Sequence, residues 1–163
     1  MTAFLNTQGD AIAAVLRTVA DIGVVLSTQP NPAPMQQAAF IDMFTTEVGG
    51  TRTLRAWTVQ YLGEQRYRSA IAIGATKTVR EIDWIVRAHL AWGVDTESTF
   101  RFLVDDVAKA LDAAVSLGGT ALDHVPVRVA MPAQGAGIVL GDTLCHYAEL
   151  TFTAKVEQTL TTS

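Results

Sequence analysis

The sequence predicts an α+β fold: a mostly antiparallel β-sheet packed against two main helices, in a single domain over residues 1–163. Three observations carry that expectation. Segments 9–20 and 97–115 place apolar residues at the i, i+3, i+4, i+7 spacing that puts one stripe on one helix face. Segments 54–62, 80–92 and 144–156 instead alternate with the period of a strand. Helices do not regularly separate those strands, which argues against a doubly wound nucleotide-binding sheet.

In chain order, Ile12, Val15, Leu16 and Val19 form the stripe of the first helix, which Asp21 ends. Gly23–Leu26 reads as a short buried strand. Ser27–Pro34 holds three prolines, each fixing φ and removing a donor, so an extended loop is expected there. Met35–Phe44 fits a short helix, and Gly49-Gly50 closes that unit. Leu54–Leu62 then sets Trp57, Val59 and Tyr61 against Leu54, Ala56 and Leu62, followed by a strand at Arg68–Gly74.

Arg80–Trp92 gives the clearest alternation. Ile82, Trp84, Val86, Ala88, Leu90 and Trp92 share one face, while Asp83, Arg87 and His89 share the other. Gly93 breaks it, and Asp95 or Thr96 caps a helix over Glu97–Val115. Its stripe is Phe100, Leu103, Val104, Val107, Leu111 and Val115, and Leu117-Gly118-Gly119 terminates it. Val125–Met131 and Leu144–Val156 complete the strands, and residues 158–163 read as a fraying polar tail.

Of the 163 residues 49% are hydrophobic and only 17% charged, below the roughly 25% usual for soluble domains. So apolar a chain with so few charges suggests burial of surface against further copies of itself. No apolar run reaches the ~18 residues of a membrane span, and the first residues lack the basic and apolar blocks of a signal peptide. The single cysteine, Cys145, leaves no internal disulfide or cysteine-clustered zinc site, so folding in a reducing, intracellular compartment is expected.

The net charge of −4 argues against generic nucleic-acid binding, yet seven basic residues face three acidic ones between Arg52 and Arg87. Two readings stand open. Either these arginines pair with acids elsewhere in the chain, or they meet the acidic surface of a neighbouring copy.

Chemistry-bearing patterns are sparse. His89, His124 and His146 have no metal-ligand spacing and read as structural histidines. Cys145 and His146 are strand neighbours pointing to opposite faces, so they cannot form a nucleophile–base pair. Gly135, Gly137 and Gly141 lack the spacing and the following helix of a dinucleotide loop. Trp57, Trp84 and Trp92 read as core or interface anchors. No catalytic, cofactor-binding or metal-binding residue is therefore assigned, and an enzyme is not expected.

A resemblance adds a function. The segments L-R-A-W-T-V, D-W-I-V-R-A-H-L-A-W-G-V-D-T-E-S-T-F-R-F-L-V-D-D-V-A-K-A-L, G-G-T-A-L and L-C-H-Y-A-E-L-T-F resemble the small tail-terminator and head–tail joining proteins of long-tailed bacteriophages, from about Asp10 to Val156. The resemblance implies an α+β subunit that assembles as a ring of six. Such a ring caps the tail tube, receives the head connector and lets genome DNA pass through its hole without specific binding. It implies no catalytic residues and no cofactor, a place at the virion neck after assembly in the host cytoplasm, and no membrane.

The chain departs from that pattern at Gly63–Thr78, which is longer than the corresponding connection. It reads either as an extra hairpin, about 63–80, or as an ordinary part of the sheet. As a hairpin reaching a neighbour it would present Arg66, Arg68, Ile71, Ile73 and Arg80 as subunit-interface residues. Other neck components, such as tail-completion or head-completion proteins, and a small-molecule enzyme or ligand-binding domain remain as alternatives.

Overall fold

A computed structural model describes residues 2–27, 37–72, 75–133 and 136–161; within these, the side chains of 2, 37, 38, 40, 68–72, 75, 76 and 158–161 fall outside the description. The elements run α1 (Thr2–Leu16), β1 (Val24–Leu26), α2 (Gln37–Asp42), β2 (Thr45–Val48), β3 (Thr51–Ala72), β4 (Ala75–Ala91), α3 (Thr96–Ala113), β5 (Asp123–His124), β6 (Arg128–Ala130), β7 (Ile138–Leu140) and β8 (Thr143–Thr161). The fold is α+β, with a large, mostly antiparallel sheet and helices α1 and α3 as its main helical layer.

Three long strands, β3, β4 and β8, form the centre in that spatial order, and each adjacent pair is antiparallel. Short pieces line the two outer sides. β2 and β1 flank β3, with β1 parallel to it at Ala56–Thr58. β7, β6 and β5 succeed one another along β8. Gly49 and Gly50, at φ 59° and 77°, close the β2–β3 hairpin with the two positive angles a tight two-residue turn needs.

Alternation decides which side chains meet the helices. Trp57 stands beside Ala88 and Ala148, and Val59 beside Val86 and Leu150. These residues pack against Ile12 and Leu16 of α1 and Phe100, Val104, Val107 and Leu111 of α3 to make the main core. Trp57 Nε1 donates to the Ile22 carbonyl at 2.9 Å, and Trp84 Nε1 to Gln8 Oε1 at 2.9 Å. Gln8 is fully buried and passes a bond on to the Thr120 carbonyl. Gly9 lets α1 approach that indole, since a Cβ there would already touch Trp84 at 3.4 Å.

On the opposite face, Phe44, Leu54, Ala56 and Cys145 make a second small core with Ile41 of α2. Beside it runs a polar row: Arg87 bonds Gln60 and Glu149, and Tyr147 donates to Glu149.

Several expected boundaries change. α1 begins at Thr2 rather than residue 9, because Phe4, Leu5 and buried Gln8 extend its inner face. The separate strands at 54–62 and 68–74 are one strand, β3, and β4 starts five residues before Arg80. The supposed extra hairpin is thus the continuation of the central sheet. The polar tail is corrected too: residues 158–161 belong to β8 and pair with Ala75–Thr78. α3 ends at Ala113, which leaves Val115 half exposed instead of in the stripe. β2, β5 and β7 were not foreseen, the expected strand Val125–Met131 shortens to β6, and the expected Ser27–Pro34 loop lies, after Ser27, outside the described residues.

Candidate functional site

Beyond Ile82, the strands β3, β4 and β8 run on to Ala72, Ala75 and Thr161 as a three-stranded arm. Its first rows on the helix side are Glu64, Ile82 and Ala154, then Arg66, Arg80 and Val156. Arg80 is buried; its guanidinium donates to Glu64 and lies 5.0 Å from the Phe4 ring centre. Arg66 donates to the other oxygen of the same carboxylate. The bond from Arg80 holds the Glu64 carboxyl below its ordinary pKa against the opposing effect of desolvation, with Arg66 adding to the lowering. On the other side of the arm Tyr67 donates to Glu81 at 2.9 Å, Lys155 lies 3.6 Å from Glu81, and Lys77 donates to Glu157 at 2.8 Å.

This geometry sorts the five expected interface residues. Arg66 and Arg80 converge on Glu64, but Arg80 is enclosed by its own subunit and does not offer its guanidinium to a neighbour. Backbone pairing sets Arg68 opposite Thr78 and Ile71 opposite Thr76 in the outer arm. Ile73 lies outside the described residues. The basic stretch is largely answered from within the chain, since Arg52 pairs with Asp42, Arg55 with the Asp21 carbonyl and Arg87 with Glu149. The intramolecular pairing weighed from the sequence is what the geometry shows.

The opposite end of the same strands is different. Trp92 stacks on His146 with ring centres 4.1 Å apart, and Phe100 lies nearly parallel to that imidazole at 5.5 Å. His146 Nε2 is 2.8 Å from Thr96 Oγ1, which also accepts from the Gly93 amide. Trp92, Gly93, Asp95, Ser98, Arg101 and His146 border an open groove of about 430 Å³. Val94, next in the chain after Gly93, is 91% exposed, and Leu144 and its partner across the strands, Val139, are exposed beside Trp92. Trp92 N donates to the Leu144 carbonyl, and Gly137 lies so close that a Cβ would meet Cys145 O at 2.7 Å. Burial lowers the His146 pKa, partly opposed by Glu97 and assisted by Arg101.

The remaining chemistry-bearing groups are held in structural roles. His89 is buried between Phe44 and Tyr147. Desolvation, with Arg87 second, pushes its pKa down to about 4. Cys145 is buried, its thiol pushed up to about 11 by desolvation, and its Sγ faces the Thr143 carbonyl at 3.5 Å. It sits in the second core, across the sheet from His146. Both ring nitrogens of His124 lie within 3.0 Å of backbone carbonyl oxygens. Trp57 and Trp84 are core residues, whereas Trp92 is partly exposed.

A second groove of about 580 Å³ separates α1 from β3 and is bordered by Leu5, Asn6, Asp10, Tyr61 and Trp84. Among the described residues no group of three His, Cys, Asp or Glu side chains converges as metal ligands, and no helix is long and apolar enough to cross a membrane. Sequence reasoning missed the exposed Val94, Val139 and Leu144, whose common location depends on β7 pairing with β8 at Val139 and Leu144. It also missed Gln8, for which only its proximity to the apolar stripe was a signal.

The sequence matches no protein-family model and no curated protein.

Proposed function

We propose that this chain is a structural protein of a bacteriophage virion: it assembles into a ring of six, terminates the tail tube and joins it to the head connector. The observation that carries the reading is the polarity of one subunit. A three-stranded arm extends from one end of the long strands, and an exposed apolar rim lies at the other. A subunit with different surfaces at its two ends suits head-to-tail association, which closes into a ring when the rotation between copies allows it. The α+β architecture agrees with what the sequence resemblance implies.

In this reading function is assembly, with the tail-tube protein and a connector protein as partners and DNA passing through the lumen at the virion neck. Groups able to do acid–base or nucleophilic chemistry have other tasks: Cys145 is a buried thiol, and His146 stacks on Trp92 and lies 2.8 Å from Thr96 Oγ1. A ligand-binding reading draws on the groove beside His146. The two separate by experiment. Purified protein mixed with isolated tail tubes is expected to bind tube ends and halt their growth; binding only to the connector would favour a head-completion protein instead. Binding to neither would contradict a neck function.

A further inference from the structure

The two lateral sides of the sheet carry surfaces that match each other. On one side the ladder between β1 and β3 ends at Leu26 and Thr58, and the groove of about 580 Å³ between α1 and β3 lies just beyond. Its apolar lining is Leu5, Val59, Tyr61 and Trp84. Tyr61, 40% exposed, stands edge-on to Trp84 with ring centres 6.1 Å apart. Asn6 and Asp10, one turn apart on α1, are polar borders, and Asp10 is the one charged residue among the described lining. Its carboxylate makes no hydrogen bond or ion pair among the described residues. A concave apolar site with a few placed polar groups suits binding, and an unanswered carboxylate selects a cation.

On the other side β5, β6 and β7 line β8. There Val125, Pro126 and Arg128 are exposed and border one shallow groove of about 330 Å³, so they share a surface. Of the lysines and arginines whose side chains are described, Arg128 alone makes no hydrogen bond or ion pair. Three strand spacings, roughly 14 Å, separate β6 from β3. Pairing to β8 holds Arg128 there, so one copy cannot fill its own groove.

We propose that Val125, Pro126 and Arg128 of one copy dock in the α1–β3 groove of the next copy. The Arg128 guanidinium meets Asp10, and the two apolar residues lie against Leu5 and Tyr61. This rests on the ring reading and names its interface. The two surfaces differ, so the contact is heterologous; every copy gives one and receives one, which is the condition for a closed ring. The contact runs along the sides of the sheet and leaves both ends of the long strands to the tube and the connector.

Charge reversal tests the pairing in the full chain. Neither side chain is bonded within its own subunit, so Asp10→Lys and Arg128→Glu should each keep the native unfolding temperature within a few degrees. Each alone is expected to weaken self-association on the order of tenfold, because like charges then face each other. The double variant restores assembly, since every interface regains an opposite pair. Arg128→Lys keeps the charge and gives a second readout: a carbodiimide should join the new amine to Asp10 of another copy. Mixing isotope-labelled with unlabelled chain shows that the link crosses copies.

If the native chain forms a ring and both reversed variants assemble equally well without the cross-link, this docking is wrong and the ring reading survives. Loss of assembly without recovery in the double variant, and without the cross-link, likewise overturns the docking. On tail tubes, Asp10 linked to tube protein instead assigns the groove to that partner and overturns it too. A native chain that forms no ring, alone or on tube ends, overturns the ring reading and the docking together.

Discussion

Two halves of the same three strands follow one alternation rule and reach opposite results. In the half beneath α1 and α3, the row Val59, Val86 and Leu150 is fully buried in a continuous apolar core. In the arm, the row Arg66, Arg80 and Val156 lies at the margin of that core, where Arg80 meets Phe4 and both arginines are organised around Glu64. The difference lies in the second layer rather than in the strands. A sheet face backed by helices gains roughly 25 cal/mol for each Å² of apolar surface it removes from water. A face without them relies on its ladder and on cross-strand pairs worth about 0.2–1 kcal/mol each. The covered half is therefore held by apolar burial, whereas the arm is held by its ladder and by ion pairs within the chain.

Substitutions can break that comparison, beginning with the largest effect. Trp84 is 2% exposed and bonded to Gln8, so Trp84→Ala should cost about 3–5 kcal/mol in chemical denaturation. Native-like stability would show that the core lies elsewhere.

The pH dependence comes next. His89 is neutral in the fold at a pKa of about 4, against an ordinary 6.5. Between those values the unfolded chain binds the extra proton, so stability is complete above about 6.5 and falls as pH drops toward 4. The loss is at most about 3 kcal/mol. Glu64, held below its ordinary value, adds a further loss once pH falls below the carboxylate range. His89→Gln should flatten the upper part of this profile and leave the lower part. An unchanged slope between pH 6.5 and 5 would remove His89 from the account.

The smallest effect belongs to the arm. The Lys77–Glu157 pair is exposed, so Lys77→Ala should change subunit stability by no more than about 1 kcal/mol. A larger loss in thermal unfolding would mean that the arm supports the core and is not an appendage to it.

This contrast also explains what could be read from the sequence. Ile82, Trp84, Val86, Ala88 and Leu90 alternate cleanly because a single layer of helices selects them, and the α3 stripe from Phe100 to Leu111 is legible for the same reason. The arm gave no such signal: Glu64, Arg66 and Arg68 interrupt the apolar pattern, and the ladder to β4 and β8 continues through them. A bulge between Tyr61 and Gly63 shifts parity and leaves Leu62 exposed. Residues 158–161 looked like a tail because their partners, Ala75–Thr78, are some eighty positions away. At the candidate site, Arg66 and Arg80 were both expected at a subunit interface, and their convergence on Glu64 and the burial of Arg80 against Phe4 depend on a cross-strand pairing and a different element that the sequence does not announce. The apolar rim required knowing that β7 folds back on β8, which three residues of Ile138–Leu140 do not announce.

The most direct test of assembly is the mass of the full chain by light scattering, alone and on isolated tail tubes, with particle images alongside. The proposed assembly is a ring of six chains of 17.5 kDa, about 105 kDa, with a central hole. A monomer or simple dimer under both conditions, with no ring at the tube end, would contradict it.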